Sequence, residues 1–261
     1  MNKIIDFLLT DESYISKDDY LERQLLAQEF SKQPEEFFSH MRHFQPQVGC
    51  LNCCAICSKK ASTIMEYWNI NRIRNIVSAI KFTVKAYRKE KPLLAWGRTK
   101  HRVGVVFSYL DNDIGSYEYL SDFIEIVHRE LGVQIRLSTV GYSRYNDILN
   151  HTHRQVNSSK LLPAIGGVRL SITPYAIGWA NRNSKQYSRE DYINDIANFL
   201  DIYKPCYNYV GSGRRNMCVE LRFKPLVKLC NVNVYNMHQH TIILADNIIY
   251  ISQQKNIQFE V

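Results

Sequence analysis

Apolar residues in this chain switch repeatedly between the strand period and the helix period, and that alternation restricts its fold more than any other feature. Residues 103–109, VGVVFSY, form the continuous apolar run that a strand buried on both faces requires. Leu120, Phe123, Ile124, Val127 and Leu131 follow at helical spacing, with Ser116 as the expected cap. Residues 133–139 then read as strand, 145–156 as a weaker helix and 168–172 as strand. A helix expected over 188–203 carries a Ser188-x-x-Asp191 capping box and the apolar set Ile193, Ile196, Ala197 and Leu200. Residues 217–223 supply one more strand. Alternation at these lengths forces parallel pairing with right-handed crossovers, so the sheet curls with its helices outside. The expected fold is α/β, a partial (β/α)6-type TIM barrel, where functional residues gather at the C-terminal ends of the strands because the loops converge there.

Residues 1–47 read as an N-terminal helical extension, from the spacing of Leu21, Leu25, Leu26 and Phe30, then Phe37, Phe38 and Met41. This piece is shorter than the roughly 50 residues of a small independent domain, so a peptide-recognition subunit would have to come from elsewhere. Residues 48–225 are assigned to the barrel, although its first strand, at about 44–48, is interrupted by Pro46. Ile70, Ile73, Val77, Ile80, Val84 and Tyr87 mark a long amphipathic helix ending before Pro92. Residues 226–261 form a C-terminal extension with a β-hairpin over 240–252.

A chain of 261 residues with 45% hydrophobic content can bury one substantial core. No apolar run approaches the ~20 residues of a membrane span. A net charge of +8 invites an acidic or phosphorylated partner, nucleic acid included. The basic residues nevertheless fall in short groups such as Arg72/Arg74, Arg98/Lys100/Arg102 and Arg214/Arg215, which is the pattern of a solvated surface. The opening MNKIIDF has no basic-then-apolar leader, so a cytoplasmic location with reduced thiols is expected.

Four of the seven cysteines lie in one eight-residue stretch, CLNCCAIC, over 50–57. Three readings are open. Cys50-x2-Cys53 and Cys54-x2-Cys57 are each half of a zinc knuckle, but knuckle pairs are usually a dozen or more residues apart so that they can close a tetrahedron. Structural thiols are the second reading. In the third, Cys50, Cys54 and Cys57 form a Cys-x3-Cys-x2-Cys set whose soft thiolates hold three irons of a [4Fe–4S] cluster and leave the fourth open.

This last spacing resembles the radical SAM superfamily. The resemblance implies that the open iron chelates S-adenosylmethionine and that one electron from the cluster cleaves it to a 5′-deoxyadenosyl radical. The family usually has an aromatic residue just before the last ligand, whereas this chain has Ile56. Asp111, Asn112 and Asp113 stand where the family's second strand ends in a Gly-Gly-Glu run that meets the methionyl amine, though the glycines are missing. Ordinary turn formation explains the same three residues. Thr139 falls at the end of the third strand, where the family often has a Thr-Asn-Gly-like run. Arg169 and Ser171 share one strand face and would hold the cofactor carboxylate and ribose, or make a structural ion pair.

Cys206, Cys218 and Cys230, with Gly213, partly match the auxiliary-cluster extensions of SPASM or twitch type, but the hairpin ends on Ser252 where a ligand cysteine would stand. A second Fe–S cluster, a hydrogen-atom donor and buried structural thiols are the three readings of these cysteines. His151-x-His153 and His238-x-His240 lack a nearby acidic or cysteine partner in sequence and read as polar surface on a strand or loop. The expected function is hydrogen abstraction from a small-molecule or peptide substrate of specialised metabolism, with a reducing partner such as flavodoxin or ferredoxin. Modification of RNA and a non-catalytic zinc-binding interaction protein are the alternatives.

Overall fold

A seven-stranded sheet carries most of the regular structure, and its parallel half follows the alternation in the sequence. The computed structural model describes residues 15–33, 41, 43–52, 61–87, 104–109, 112–142, 144, 146–156, 161–172, 188–207, 219–223, 241–245, 248–252 and 256–260. Helix α1 (Lys17–Ser31) comes first, then a two-residue hairpin of β1 (Gln47–Val48) and β2 (Glu66–Tyr67), and the long helix α2 (Ile70–Tyr87). The alternating section is β3 (Val105–Phe107), α3 (Leu120–Leu131), β4 (Gln134–Thr139), α4 (Asp147–Val156), β5 (Ile165–Ile172), α5 (Arg189–Tyr207) and β6 (Val219–Phe223). Strands β7 (Thr241–Ala245), β8 (Ile248–Ser252) and β9 (Asn256–Glu260) end the chain.

The strands lie in sequence order, β3-β4-β5-β6-β7-β8-β9. Pairs from β3 to β6 are parallel, and pairs from β6 to β9 are antiparallel. The C-terminal hairpin therefore extends the main sheet, with β9 as a third strand that the alternation did not announce. Among the described residues the sheet does not close on itself. His43 pairs in parallel with Phe107, and the Phe44 amide donates to the Phe107 carbonyl at 3.0 Å. The chain leading into the cysteine cluster thus runs along the outer edge of β3 and leaves it at the C-terminal end.

Burial alternates along β3 and most of β4, while β5 is buried from Ile165 to Ser171 except at Arg169. Val106, Ile135, Leu137, Val168 and Leu170 are enclosed and pack with Ile73, Val77 and Ile80 of α2, Phe123, Ile124 and Val127 of α3, and Phe199 and Tyr203 of α5. Phe123 meets Phe44 edge-on at 5.3 Å and Tyr117 at 6.1 Å, joining the incoming edge segment to this core. Their neighbours Phe107, Arg136, Ser138, Arg169 and Ser171 take the opposite face by the two-residue period.

Two local expectations change and a third holds. Of Leu21, Leu25, Leu26 and Phe30, the expected core face of α1, Leu26 and Phe30 pack against the core, whereas Leu21 and Leu25 are exposed and Arg23 and Ala27 are buried. Arg23 donates through Nε to Asn75 Oδ1 of α2 at 2.7 Å, and Asn75 donates to Asp19 and Glu22, so the two helices meet through a polar seam. Ser116 does not cap α3: it lies in a 3-10 turn (Ile114–Ser116) capped by Asp113, and α3 begins after Tyr119 with no side-chain cap. Ser188 caps as expected, its Oγ accepting from the Asp191 amide at 3.0 Å while the Ser188 amide donates back at 3.2 Å.

Phe123→Ala should cost about 3–5 kcal/mol of stability, because Phe123 is fully enclosed at the junction of α3 with the edge segment. Leu25→Ala, at 63% exposure, should cost less than about 0.5 kcal/mol. Urea midpoints of the two variants compare these directly.

Candidate functional site

The C-terminal ends of β3 and β4 and the cysteine hairpin meet at one buried carboxylate. Strands β1 and β2 pair antiparallel, Gln47 with Tyr67 and Val48 with Glu66, so residues 49–65 form an excursion between them. Gly49 has φ +83°, and a Cβ there would drive into the Ile64 carbonyl. Only glycine permits that close turn. Directly after it, the Cys50 amide donates to the Ser62 carbonyl at 2.7 Å, clamping the base of the excursion. Cys50 itself is half-buried.

Asn52 reaches from this base into the core, its Nδ2 donating to Asp113 Oδ2 at 2.6 Å. Asp113 accepts from the Gly115 amide through Oδ1 at 2.9 Å and from the Val140 amide through Oδ2 at 2.8 Å. Burial pushes the Asp113 carboxyl above its ordinary range, and these hydrogen bonds pull against that rise.

Behind Asp113 the polar chain continues through the helix layer. Thr139 Oγ1 accepts from the Gly141 amide at 2.9 Å and lies 3.2 Å from His153 Nε2. His153 Nδ1 lies 2.9 Å from the Tyr203 hydroxyl of α5. All five side chains are buried, and Asn52, at 8% exposure, is the most open. Burial with no compensating anion holds His153 neutral, its pKa pushed down to about 3. His151 and His153 therefore lie on a helix, not on a strand or loop, and His153 is core. The signal that could have placed it inward is the helical stripe of Leu149, His153 and Val156.

On the opposite sheet face, Arg169 donates to the Tyr109 hydroxyl at 2.7 Å with its guanidinium 5.6 Å from that ring's centre. Ser138 of β4 pairs in register with Arg169 of β5, and Ser171 is buried two residues further on. Asp113 and Thr139 are thus brought together on the helix side, whereas Arg169 and Ser171 are grouped on the other. Asn112 donates to its own strand's Ser108 carbonyl at 3.4 Å, as a turn residue does. Gln47, missed in the sequence, lies three residues before Cys50: its Nε2 donates to Ser116 Oγ at 2.8 Å, while its buried Oε1 has no hydrogen-bond partner.

Asp111, Cys53, Cys54, Cys57, Cys218, Cys230, His238 and His240 lie outside the described residues, and of Cys206 only the backbone, in α5, is described. No cluster of three or more metal-ligating side chains occurs among the described residues. None of the described helices is long and apolar enough to cross a membrane. A separate groove of about 490 Å³ is lined by Arg23, Arg74, Lys81, Arg129 and Glu130. Glu130 is ion-paired with Lys81 at 2.6 Å and Arg129 at 2.8 Å. No protein-family model, curated protein or solved structure matches this chain.

The buried histidine gives a pH signature. Its folded pKa lies below the unfolded value of about 6.5, so the unfolded chain takes up the proton first as pH falls. Stability present above about pH 6.5 is then lost, by about 1.4 kcal/mol at pH 5.5. Asp113 works in the other direction, since its raised folded value returns stability as pH falls through it. Urea midpoints measured between about pH 7 and 5.5 should drop for the wild type and drop less for His153→Gln.

Proposed function

We propose that this chain is a radical SAM enzyme built on a partial barrel, with Cys50, Cys54 and Cys57 as the three protein ligands of a [4Fe–4S] cluster. The observation that carries the reading is the Cys-x3-Cys-x2-Cys spacing opening directly beyond the C-terminal edge of a parallel, sequentially ordered sheet. The residues fit the group in two respects. Three thiols in one short excursion are the soft donor set that an iron–sulfur cluster requires. Gln47 Oε1, buried and without a partner beside Cys50, is an acceptor awaiting a ligand's N–H or O–H.

When bound, the cluster supplies the electron that splits S-adenosylmethionine into methionine and the 5′-deoxyadenosyl radical, which abstracts hydrogen from an unreactive C–H bond. The chain's own residues bind and orient. Arg169 offers a carboxylate two parallel N–H donors, and its contact with Tyr109 fixes the direction of the guanidinium. Ser171, on the same face, offers a hydroxyl to a ribose. The substrate in this reading is a small molecule or a peptide, and the electron comes from a flavodoxin- or ferredoxin-type partner. Cys206, Cys218 and Cys230 retain their role as hydrogen donor or auxiliary-cluster ligands in the proposal. RNA modification draws support from the basic groove, though Glu130 neutralises part of that groove's charge.

Anaerobically reconstituted protein should hold about four irons with matching sulfide and release 5′-deoxyadenosine from S-adenosylmethionine under dithionite. The Cys50→Ala/Cys54→Ala/Cys57→Ala variant should do neither. Zinc without iron would replace this reading with the binding-protein alternative, and iron clearly above four would point to the auxiliary cluster.

Arg169→Ala should weaken S-adenosylmethionine binding by about tenfold or more, the loss expected for a charge-assisted contact, with iron content unchanged. Equilibrium dialysis against the reconstituted protein measures both.

A further inference from the structure

We propose that the open face of the parallel sheet recognises an anionic group, a carboxylate or a phosphate carried on an apolar body, and that Arg136 holds it. Calling the bearer of that group the substrate rests on the radical SAM reading, whereas the anion site rests on the sheet alone.

Helices α2, α3 and α5 pack on one face of β3, β4 and β5, and the other face is concave. A Cβ on Gly166 of β5 would come within 3.0 Å of both Gln134 Cβ on β4 and Val105 Cγ1 on β3, so the two outer strands lean together over the middle one. Higher up, Arg169 of β5 reaches the Tyr109 hydroxyl beyond the end of β3 at 2.7 Å, again passing over β4. Val105, Gln134 and Gly166 thus close the floor of a hollow. Phe107, Tyr109, Arg136, Ser138 and Arg169 stand above that floor, half-buried rather than enclosed.

The register sets the charges inside it. Ile135 pairs with Ile165 but Arg136 pairs with Gly167, so Gly166 is one extra residue in β5. Bulges of this kind bend the strand and re-aim side chains. Arg136 then stands beside Gly167 and, one rung higher, Ser138 beside Arg169. The two arginines occupy one diagonal of this square, their Cα atoms about 8 Å apart from two residues of strand rise and one strand spacing. Glycine and serine occupy the other diagonal and leave room between them. Strands β3, β4 and β5 contain no acidic residue. By register, β6 sets Glu220 level with Arg169 and Arg222 level with Ser171. One carboxylate against three arginines leaves the face positive.

A guanidinium meets a carboxylate or phosphate through parallel N–H donors. Arg169 is oriented by Tyr109 and serves the cofactor carboxylate in the proposal above, so Arg136, one rung deeper, is assigned to the second anion. Phe107, its register partner on β3, meets Tyr109 edge-on at 5.7 Å and His43 at 5.5 Å. This aromatic row gives the ligand's body an apolar wall.

The test uses the full-length protein, metal-free and reduced, titrated calorimetrically with phenyl phosphate, phenylacetate and phenol. At least one of the two anions should bind at millimolar concentration and phenol should not, and the tighter anion identifies the group. Arg136→Gln should weaken that anion about tenfold, as loss of a charge-assisted contact does, and Arg136→Lys should recover part of it. Ser138→Asp puts an internal carboxylate beside both arginines. It should abolish anion binding and raise the urea midpoint, whereas Ser138→Asn should do neither.

The proposal is overturned if the wild type binds neither anion, if phenol binds as well as they do, or if binding survives Arg136→Gln. A lower urea midpoint for Ser138→Asp than for Ser138→Asn also overturns it, since the arginines would then be neutralised within the fold. Should Arg136→Gln fail to fold, the two Ser138 variants decide. Zinc without iron after reconstitution would remove the enzyme reading and leave these titrations as they are. A wild type that binds no anion yet releases 5′-deoxyadenosine would remove this proposal alone.

Discussion

A carboxylate taken out of water has to be matched by donors, and Asp113 draws three from three separate segments. Desolvating the charge costs several kcal/mol, and charge-assisted hydrogen bonds of about 1.5–3 kcal/mol each offset it only when nearly all are made. Gly115 belongs to its own turn, Val140 to the exit of β4, and Asn52 to the hairpin. Losing one segment leaves a buried charge short of partners. The end of β3, the end of β4 and the base of the cysteine excursion therefore form one cooperative unit. Gln47 adds a second tie from the hairpin to the same turn through Ser116.

The two faces of the parallel strands divide the work. On the helix side, Val106, Ile135, Leu137, Val168 and Leu170 supply the core, and only at the strand ends does that face turn polar, at Thr139. On the other side, Arg136, Ser138, Arg169 and Ser171 bring polar groups into register across β4 and β5. A ligand bound over that second face would lie one strand thickness from Thr139 and His153 on the first. Rigidity on the helix side is then a condition for order at the open side, since Asp113 and Thr139 terminate the same strands whose opposite-facing residues would meet the ligand.

Elements with a wide apolar stripe or an uninterrupted apolar run were legible in the sequence. Helix α2 spans Ile70–Tyr87 and α3 spans Leu120–Leu131, as their spacing implied, and the capping box at Ser188 forms. Failures came where polar contacts decided the outcome. Leu21 and Leu25 look like a core face, but α1 meets α2 through Arg23 and Asn75, a seam that periodicity in one helix cannot reveal. Strands β1 and β2 are two residues each, too short to register as a pattern, yet they set the base of the cysteine excursion. His153 was hidden by its pairing in sequence with His151. The helical period separates them, placing His153 inward and His151 on the exposed side. The sequence drew attention to Cys50 and Asp113, whereas the shell around Asp113 (Asn52, Gln47, Tyr203 and Gly115) depends on contacts between residues as much as 69 positions apart.

Three thiolates held close together repel one another, so a loop that carries them opens unless something else holds its ends. The excursion from Gly49 meets this requirement in its backbone and its side chains at once. Gly49 permits the close approach to Ile64, the Cys50 amide clamps onto Ser62, and Asn52 fastens the first turn to the core. Each restraint removes conformational entropy from the loop before any ligand arrives, which lowers the cost of bringing the thiols together on a metal. The proposed iron–sulfur reading calls for such a scaffold more than a structural zinc reading does. A structural zinc site gains its order from the metal and needs no prior scaffold, while a site that must keep one iron open for a substrate has to hold its shape by other means.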